Sequence, residues 1–212
     1  LDQLVKNNFA KGEGMARTKV FDPARALEAA MDVFWNQGYE ATSLDDLLSA
    51  MKIGRQSMYD TFGDKKQLYL AALGHYADTG REALRQRLSA GPSALGAIGS
   101  FLWEVARSDA GQRERGCLAV NAVAEFGKGD PDVFAFTERT QRMTERIFAE
   151  ALARARDQHE LADSVDLDAA AHFIHTAIRG MRISAKAGAS AAQLEATAAF
   201  TLAALRAAAV QA

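Results

Sequence analysis

Only one cysteine and three prolines occur in these 212 residues. A lone cysteine excludes an internal disulfide and fits a reducing compartment. So few prolines leave long stretches free to be helical. An excess of one charge is also lacking, since 25 basic residues meet 27 acidic ones and the pI is near 6.1. That balance leaves no general electrostatic footprint for nucleic acid. Residues 15–70 themselves carry seven Lys or Arg and eight Asp or Glu, so any DNA contact must be local.

Long apolar runs are missing as well. The longest charge-free run, 88–103, has 16 residues and is interrupted by Gly91, Pro92, Gly96 and Gly99, whereas a membrane span needs about 20 apolar residues. Residues 1–14 lack the apolar core of a signal peptide. The expectation is a cytoplasmic protein that does not engage a membrane. There is no glycine-rich phosphate loop, nucleophile elbow or His-Glu-x-x-His motif, which argues against an enzyme and leaves no cofactor motif. His172 and His175 are a thin basis for a metal site, because no Cys, Asp or Glu completes a recognisable set in the sequence.

Apolar residues make up 49% of the chain and charged residues 25%, which suits a globular protein of one large or two small domains. Residues 1–14 precede Met15 and are expected to be a tag or extension outside the fold. A basic arm using Lys6 and Lys11 is the alternative.

From Asp22 the helix signals are clear. Asp22 suits the N-cap and Pro23 the first turn, while Leu27, Ala30, Met31 and Phe34 recur at helical spacing up to Gly38. A second helix begins at Thr42-Ser43, has Asp45 and Asp46 in its first turn, and turns Leu44, Leu47, Leu48 and Met51 inward. A short break at Lys52-Ile53-Gly54 follows, as between two crossing helices. Next comes 55–62, with Met58 and Phe62 on one face. Gly63-Asp64 introduces a helix over 65–88, with Leu68, Ala71, Ala72, His75 and Tyr76 inward. Further helices are expected at about 93–107, 116–127, 131–157, 167–187 and 191–210. No alternating strand pattern appears, so the fold class is all-α with about nine helices.

The residues Ala29-Ala30, Phe34, Gly38-Tyr39, Thr42 to Leu47 and Gly54 to Lys65 together resemble the DNA-binding domain of the tetracycline-repressor (TetR) family. This resemblance implies a helix-turn-helix domain over 15–65, a helical sensing and dimerisation domain over 66–212, and a DNA-binding transcriptional regulator, normally a repressor. By position it implies that Arg55 and Gln56 read bases in the major groove, and that Ser57, Tyr59 and Lys65 contact phosphates. Thr42 and Ser43 are expected both to cap the second helix and to bond phosphate. Asp60 departs from the family pattern, since its carboxylate repels phosphate and would serve only to accept from cytosine or to bond locally. A helical scaffold without DNA binding is the alternative reading.

In the family the last two long helices form a four-helix dimer interface. Here those helices are rich in alanine, with Gly180 and Gly188, and close approach is expected around Phe173, Ile174, Ile178, Met181, Leu194, Phe200, Leu202 and Leu205. The segments Arg115-Gly116-Cys117-Leu118 and Gly180 to Lys186 resemble a branch that includes electrophile sensors responding to N-ethylmaleimide. That likeness implies Cys117 as the reactive thiol with Lys186 near it. A helix N-terminus and the neighbouring Arg113 and Arg115 would favour its thiolate. The alternative for Cys117 is a small buried apolar residue. The alternative signal is a small organic ligand among Tyr76, Phe101, Trp103, Phe126, Phe134, Phe148 and Phe173. His172, His175, Arg179, Arg182 and Lys186 share one helical stripe, suited either to an anionic effector or to a solvated face.

Overall fold

The computed structural model describes residues 21–207, so the readings made for 1–14, Lys6 and Lys11 lie outside the described residues. Ten helices and no strand occur among them: α1 Pro23–Gln37, α2 Leu44–Met51, α3 Arg55–Phe62, α4 Lys65–Ser89, α5 Ala94–Ala106, α6 Ala110–Arg115, α7 Leu118–Phe126, α8 Pro131–Asp157, α9 Leu167–Lys186 and α10 Ala191–Ala207. The nine expected helices are present. The addition is α6, capped by Asp109. Its sequence AGQRER has no apolar stripe and buries no residue, so periodicity gives no sign of it. The described residues form two compact units, which meet in sequence within α4 at Tyr76 and Ala77.

In the first unit, α1 starts as its residues dictate. The Asp22 carboxylate accepts from Ala24 N at 2.9 Å, Pro23 occupies the first turn, and Gly38 ends the helix at φ +83° with its N–H on Phe34 O. One face buries Ala26, Ala30 and Phe34. Phe34 meets Tyr69 of α4 edge-on at 5.0 Å, and Tyr39 lies 5.0 Å from the same ring. Tyr69 is 1% exposed, a core position that the expected inward set of α4 had omitted. His75 and Tyr76 are only half-buried. Tyr76 packs edge-on against Trp35 at 4.8 Å.

The turn before α3 falls at Lys52-Ile53-Gly54, as expected, but its glycine is not in the left-handed region. The left-handed residue is Lys52, at φ +54°, and its N–H bonds back to Leu48 and Ser49. Gly54 has an ordinary φ of −76° and serves as the N-cap of α3. Met58 is fully buried on α3, a contribution of about 1.5–3 kcal/mol to holding this helix in place. Asp64 and Gln67 exchange backbone and side-chain bonds at 2.8 and 3.0 Å at the start of α4.

The second unit has a continuous apolar core. Leu84 and Leu88 of α4, Ile98 and Leu102 of α5, Phe148 and Leu152 of α8, Ile174 and Ile178 of α9, and Leu202 of α10 all belong to it. A Cβ on Gly99 would stand 3.1 Å from Leu202 Cδ2, so glycine there allows α5 and α10 to approach closely. Distant side chains cap the N-terminus of α5. Gln158 Oε1 accepts from Ala94 N and Glu160 Oε2 from Leu95 N, both at 2.8 Å.

Candidate nucleic-acid interface and effector site

The candidate interface of the first unit lies on α2 and α3. Ser43 and Asp46 form a reciprocal cap: Asp46 N donates to Ser43 Oγ at 3.1 Å and Ser43 N to Asp46 Oδ2 at 3.0 Å. The Ser43 hydroxyl and backbone N–H hold the Asp46 carboxyl below the usual carboxylate range. Thr42 differs from its expected role. It is 1% exposed, and its hydroxyl donates to Gly38 O at 2.5 Å. Thr42 therefore ties the end of α1 to the start of α2, and the cap at the surface is Ser43 alone. The extended backbone at Ser43, φ −82° and ψ 161°, decides this, because successive side chains of an extended stretch point to opposite sides.

On α3, burial of Met58 turns the opposite side outward. Arg55, Gln56, Tyr59 and Asp60 are exposed and Ser57 is half-buried. Tyr59 is 45% exposed. Arg55 reaches back to α2, where its guanidinium meets Asp45 at 3.1 Å. Gln56 Nε2 donates to Asp60 Oδ1 at 2.7 Å, so Asp60 bonds locally, one of the two roles its position allows. Lys65 Nζ stands 4.3 Å from the centre of the Tyr39 ring, a cation–π contact.

Two family models match the chain: "Bacterial regulatory proteins, tetR family" over residues 26–72 and "Tetracyclin repressor-like, C-terminal domain" over 101–201. The uncharacterized HTH-type transcriptional regulator YezE of Bacillus subtilis is 36% identical over 183 residues, covering 85% of this chain and 94% of its own. The chain belongs to the tetR family of bacterial regulatory proteins. The HTH-type transcriptional repressor ComR of Escherichia coli is 32% identical, covering 88% of the regulator and 90% of ComR. Among solved structures, a cysteine mutant of the TetR family regulator CifR complexed with 26bp double-strand operator DNA has a TM-score of 0.78. It shares 31% identity and covers 90% of this chain and all of its own. The regulator is a DNA-binding transcriptional regulator, and no described helix is long and apolar enough to cross a membrane.

In the second unit of the regulator, Cys117 is the N-cap of α7 and is half-buried. The preceding Gly116 has φ +67°, and a Cβ on it would stand 3.0 Å from Lys186 Cδ. Lys186 Nζ continues to Asn121 Oδ1 at 3.1 Å. Lys186, expected near Cys117, thus lies against the glycine that precedes it, with its ammonium on Asn121.

The expected aromatic cluster is not one cavity lining. Phe148 is core, with Phe101 beside it at 6.1 Å. Phe134 lies under Lys128, Trp103 carries Arg107 at 4.9 Å, and Tyr76 packs in the first unit. Phe126 is half-buried at the end of α7, whereas Phe173 points outward at 46% exposure. Helical facing disperses them, because aromatic spacing along the chain does not follow one stripe.

The stripe on α9 is neither a plain solvated face nor a metal set. His172 and His175 both turn Nδ1 to Glu145 Oε1 of α8, at 2.9 and 3.4 Å, and Arg179 donates to Gln141 Oε1 at 3.0 Å. Gln141 also donates to Glu145 at 2.9 Å. Burial pushes the Glu145 carboxyl up, but the bonds from His172, Gln141 and His175 outweigh it and lower its pKa. Burial lowers His175, against the attraction of Glu145 and with help from Arg179 and His172. No group of three or more His, Cys, Asp or Glu among the described residues is arranged to hold a metal ion. Glu145 was not among the expected site residues. Its spacing of four from Gln141 along α8 is the one signal that sequence offered.

Proposed function

We propose that the regulator represses transcription as a homodimer on operator DNA and lets go when a chemical signal reaches its second unit. The supporting observation is the exposed polar face of α3, with Met58 anchoring its other side and Ser43 capping α2 beside it. In this reading Arg55 and Gln56 read base edges, while Ser43, Ser57, Tyr59 and Lys65 hold phosphates. Arg55 leaves Asp45 to do so, an exchange costing little because an exposed ion pair is worth about 0–1 kcal/mol. The functional boundary is set near residue 65, with 15–65 as DNA-binding head and 66–212 as sensing and dimerising body. Two recognition helices spaced about 34–36 Å apart match successive major grooves.

Dimerisation through α9 and α10 is supported by Phe173, Ile183 and Phe200, which are 46%, 55% and 79% exposed. Ile174, Ile178, Met181, Leu194, Leu202 and Leu205 belong instead to the core of the unit. The interface is therefore built from the outward residues and the small ones between them, Ala177 and Gly180 on the same stripe as Phe173. A Cβ on Gly180 meets nothing within 4 Å, leaving room for a second helix.

For the signal, Lys186 beside Gly116-Cys117 supports an electrophile or oxidant acting at Cys117, and CifR, a relative at this level of identity, was solved as a cysteine mutant on DNA. A non-covalent small ligand is the second reading, favoured by the buried Arg81 of α4. Selection of binding sites from random DNA at fixed salt tests the repressor reading and yields the operator. Failure to enrich any sequence over non-specific binding would sink it.

A further inference from the structure

The face of α4 that enters the second unit carries Ala77, Arg81, Leu84 and Leu88 on one helical stripe. All four are buried, and Arg81 is 9% exposed. A guanidinium thus occupies the middle of an otherwise apolar row. Arg81 Nη2 bonds Asp78, whose side chain is itself 73% exposed, while Arg81 Nη1 is buried without a hydrogen-bond partner. The surrounding charge does not compensate. Arg85 lies one turn on and Arg139 projects from α8, and both act on Arg81 as like charges; burial is the largest influence lowering its pKa, opposed only by Asp78. The Arg139 guanidinium stands 5.6 Å from the centre of the Phe136 ring, a buried aromatic of α8.

Buried charges are paired, and a buried donor left unmade costs more than the bond would contribute. Leu or Met at position 81 would continue the stripe without that cost. An arginine kept there with one donor edge unused, among two further guanidiniums and one carboxylate, presents a planar fork suited to a carboxylate or phosphate. We propose that Arg81, with Arg85 and Arg139, forms the anion-binding end of an effector site in the second unit, taking a small organic carboxylate or phosphate. This deepens the proposal that the second unit senses a non-covalent ligand, and it rests on that reading.

Calorimetric titration of the full chain without DNA tests the site, at constant ionic strength. The probes are benzoate, hexanoate and inorganic phosphate, with benzamide and hexanamide as uncharged matches. The wild type is expected to bind the carboxylates at least 10-fold more tightly than the amides. Arg81→Gln is expected to remove that preference, Arg81→Lys to retain part of it, and Arg139→Gln to weaken it. Arg81→Met, nearer in size to a core residue, is expected to melt no lower than wild type while losing anion binding. Should an Arg81 variant not fold, the carboxylate-to-amide ratio of the wild type and of Arg139→Gln decides. Equal affinity for charged and uncharged probes, undiminished carboxylate binding by folded Arg81→Gln, or no probe binding to the wild type would each overturn the proposal. A gel shift on the same samples is read separately. Anion binding without operator binding would refute the repressor reading alone, and operator binding without anion binding would refute only the anion site.

Discussion

Lys186 lies across Gly116: its Cδ is 3.0 Å from where a Cβ on that glycine would be, and its ammonium reaches Asn121 of α7. The two residues are 70 positions apart, yet the contact lays the lysine stem on the residue before Cys117 and carries its ammonium on to α7. It also makes Gly116 doubly constrained, by the lysine and by its φ of +67°.

If Cys117 is the sensor, its reaction with a maleimide near neutral pH should outpace that of a model thiol of pKa about 8.5, and operator affinity should fall in step. Cys117→Ser should bind DNA and ignore the reagent, and Lys186→Ala should slow the reaction. Mass spectrometry with parallel gel shifts measures both. A thiol that stays unmodified until the protein unfolds would mark Cys117 as structural. Gly116→Ala should lower stability by about 1 kcal/mol or more, read as a lower Tm.

Tyr59→Ala and Lys65→Ala should weaken binding on every operator variant alike, whereas Arg55→Ala and Gln56→Ala should relax preference at particular base pairs by about 1–3 kcal/mol. Uniform losses for all four proteins across a variant set would remove the base-reading assignment.

Thr42 and Ser43 are separable. Thr42→Val removes a buried hydroxyl bonded to Gly38 O and should lower Tm, while the folded protein keeps its operator affinity. Ser43→Ala should cost about 1 kcal/mol of stability through the lost cap and also weaken DNA binding. Paired melting curves and gel shifts check this, and an unchanged affinity for Ser43→Ala would take that serine out of the phosphate contacts.

Light scattering should give twice the 22.8 kDa chain mass. Gly180→Glu, or Phe200→Glu at a position 79% exposed in the single chain, should shift it toward monomer with little change in the core. A monomeric wild type would contradict the dimer.

Acid should destabilise the seam between α8 and α9. The pKa values of Glu145 and His175 both lie below their ordinary values in the fold. Each group therefore binds protons more readily when unfolded, and the stability they contribute is present above their unfolded pKa values and lost as pH falls through the folded ones. Tm should decline as pH drops below about 6.5, where free histidine titrates, and His175→Gln should flatten the upper part of that decline. Identical Tm profiles for variant and wild type would exclude His175 as the cause.

Much of this regulator is readable locally. Asp22 and Pro23 open α1, Ser43 and Asp46 close a cap on each other within four residues, and Met58 anchors a helix whose other residues are polar; caps and stripes depend only on neighbours along the chain. Local reading fails where periodicity is absent, as for α6, or where the backbone chooses between adjacent residues, as for Thr42 against Ser43. It also cannot say which apolar residues of α9 and α10 face their own core. Ile174 and Phe173 are adjacent, and packing turns one inward and the other out. The sequence by itself thus determined nine of the ten described helices, caps such as that at Asp22, and the polar face of α3, because those follow from the 3.6-residue turn and from bonds spanning a few residues. Only the tertiary structure decided that His172 and His175 share Glu145, that Lys186 covers Gly116, and that Arg81 is buried with a donor unused. Those contacts join positions dozens of residues apart, or depend on which face a helix presents to its neighbours, and that is fixed by how the helices pack.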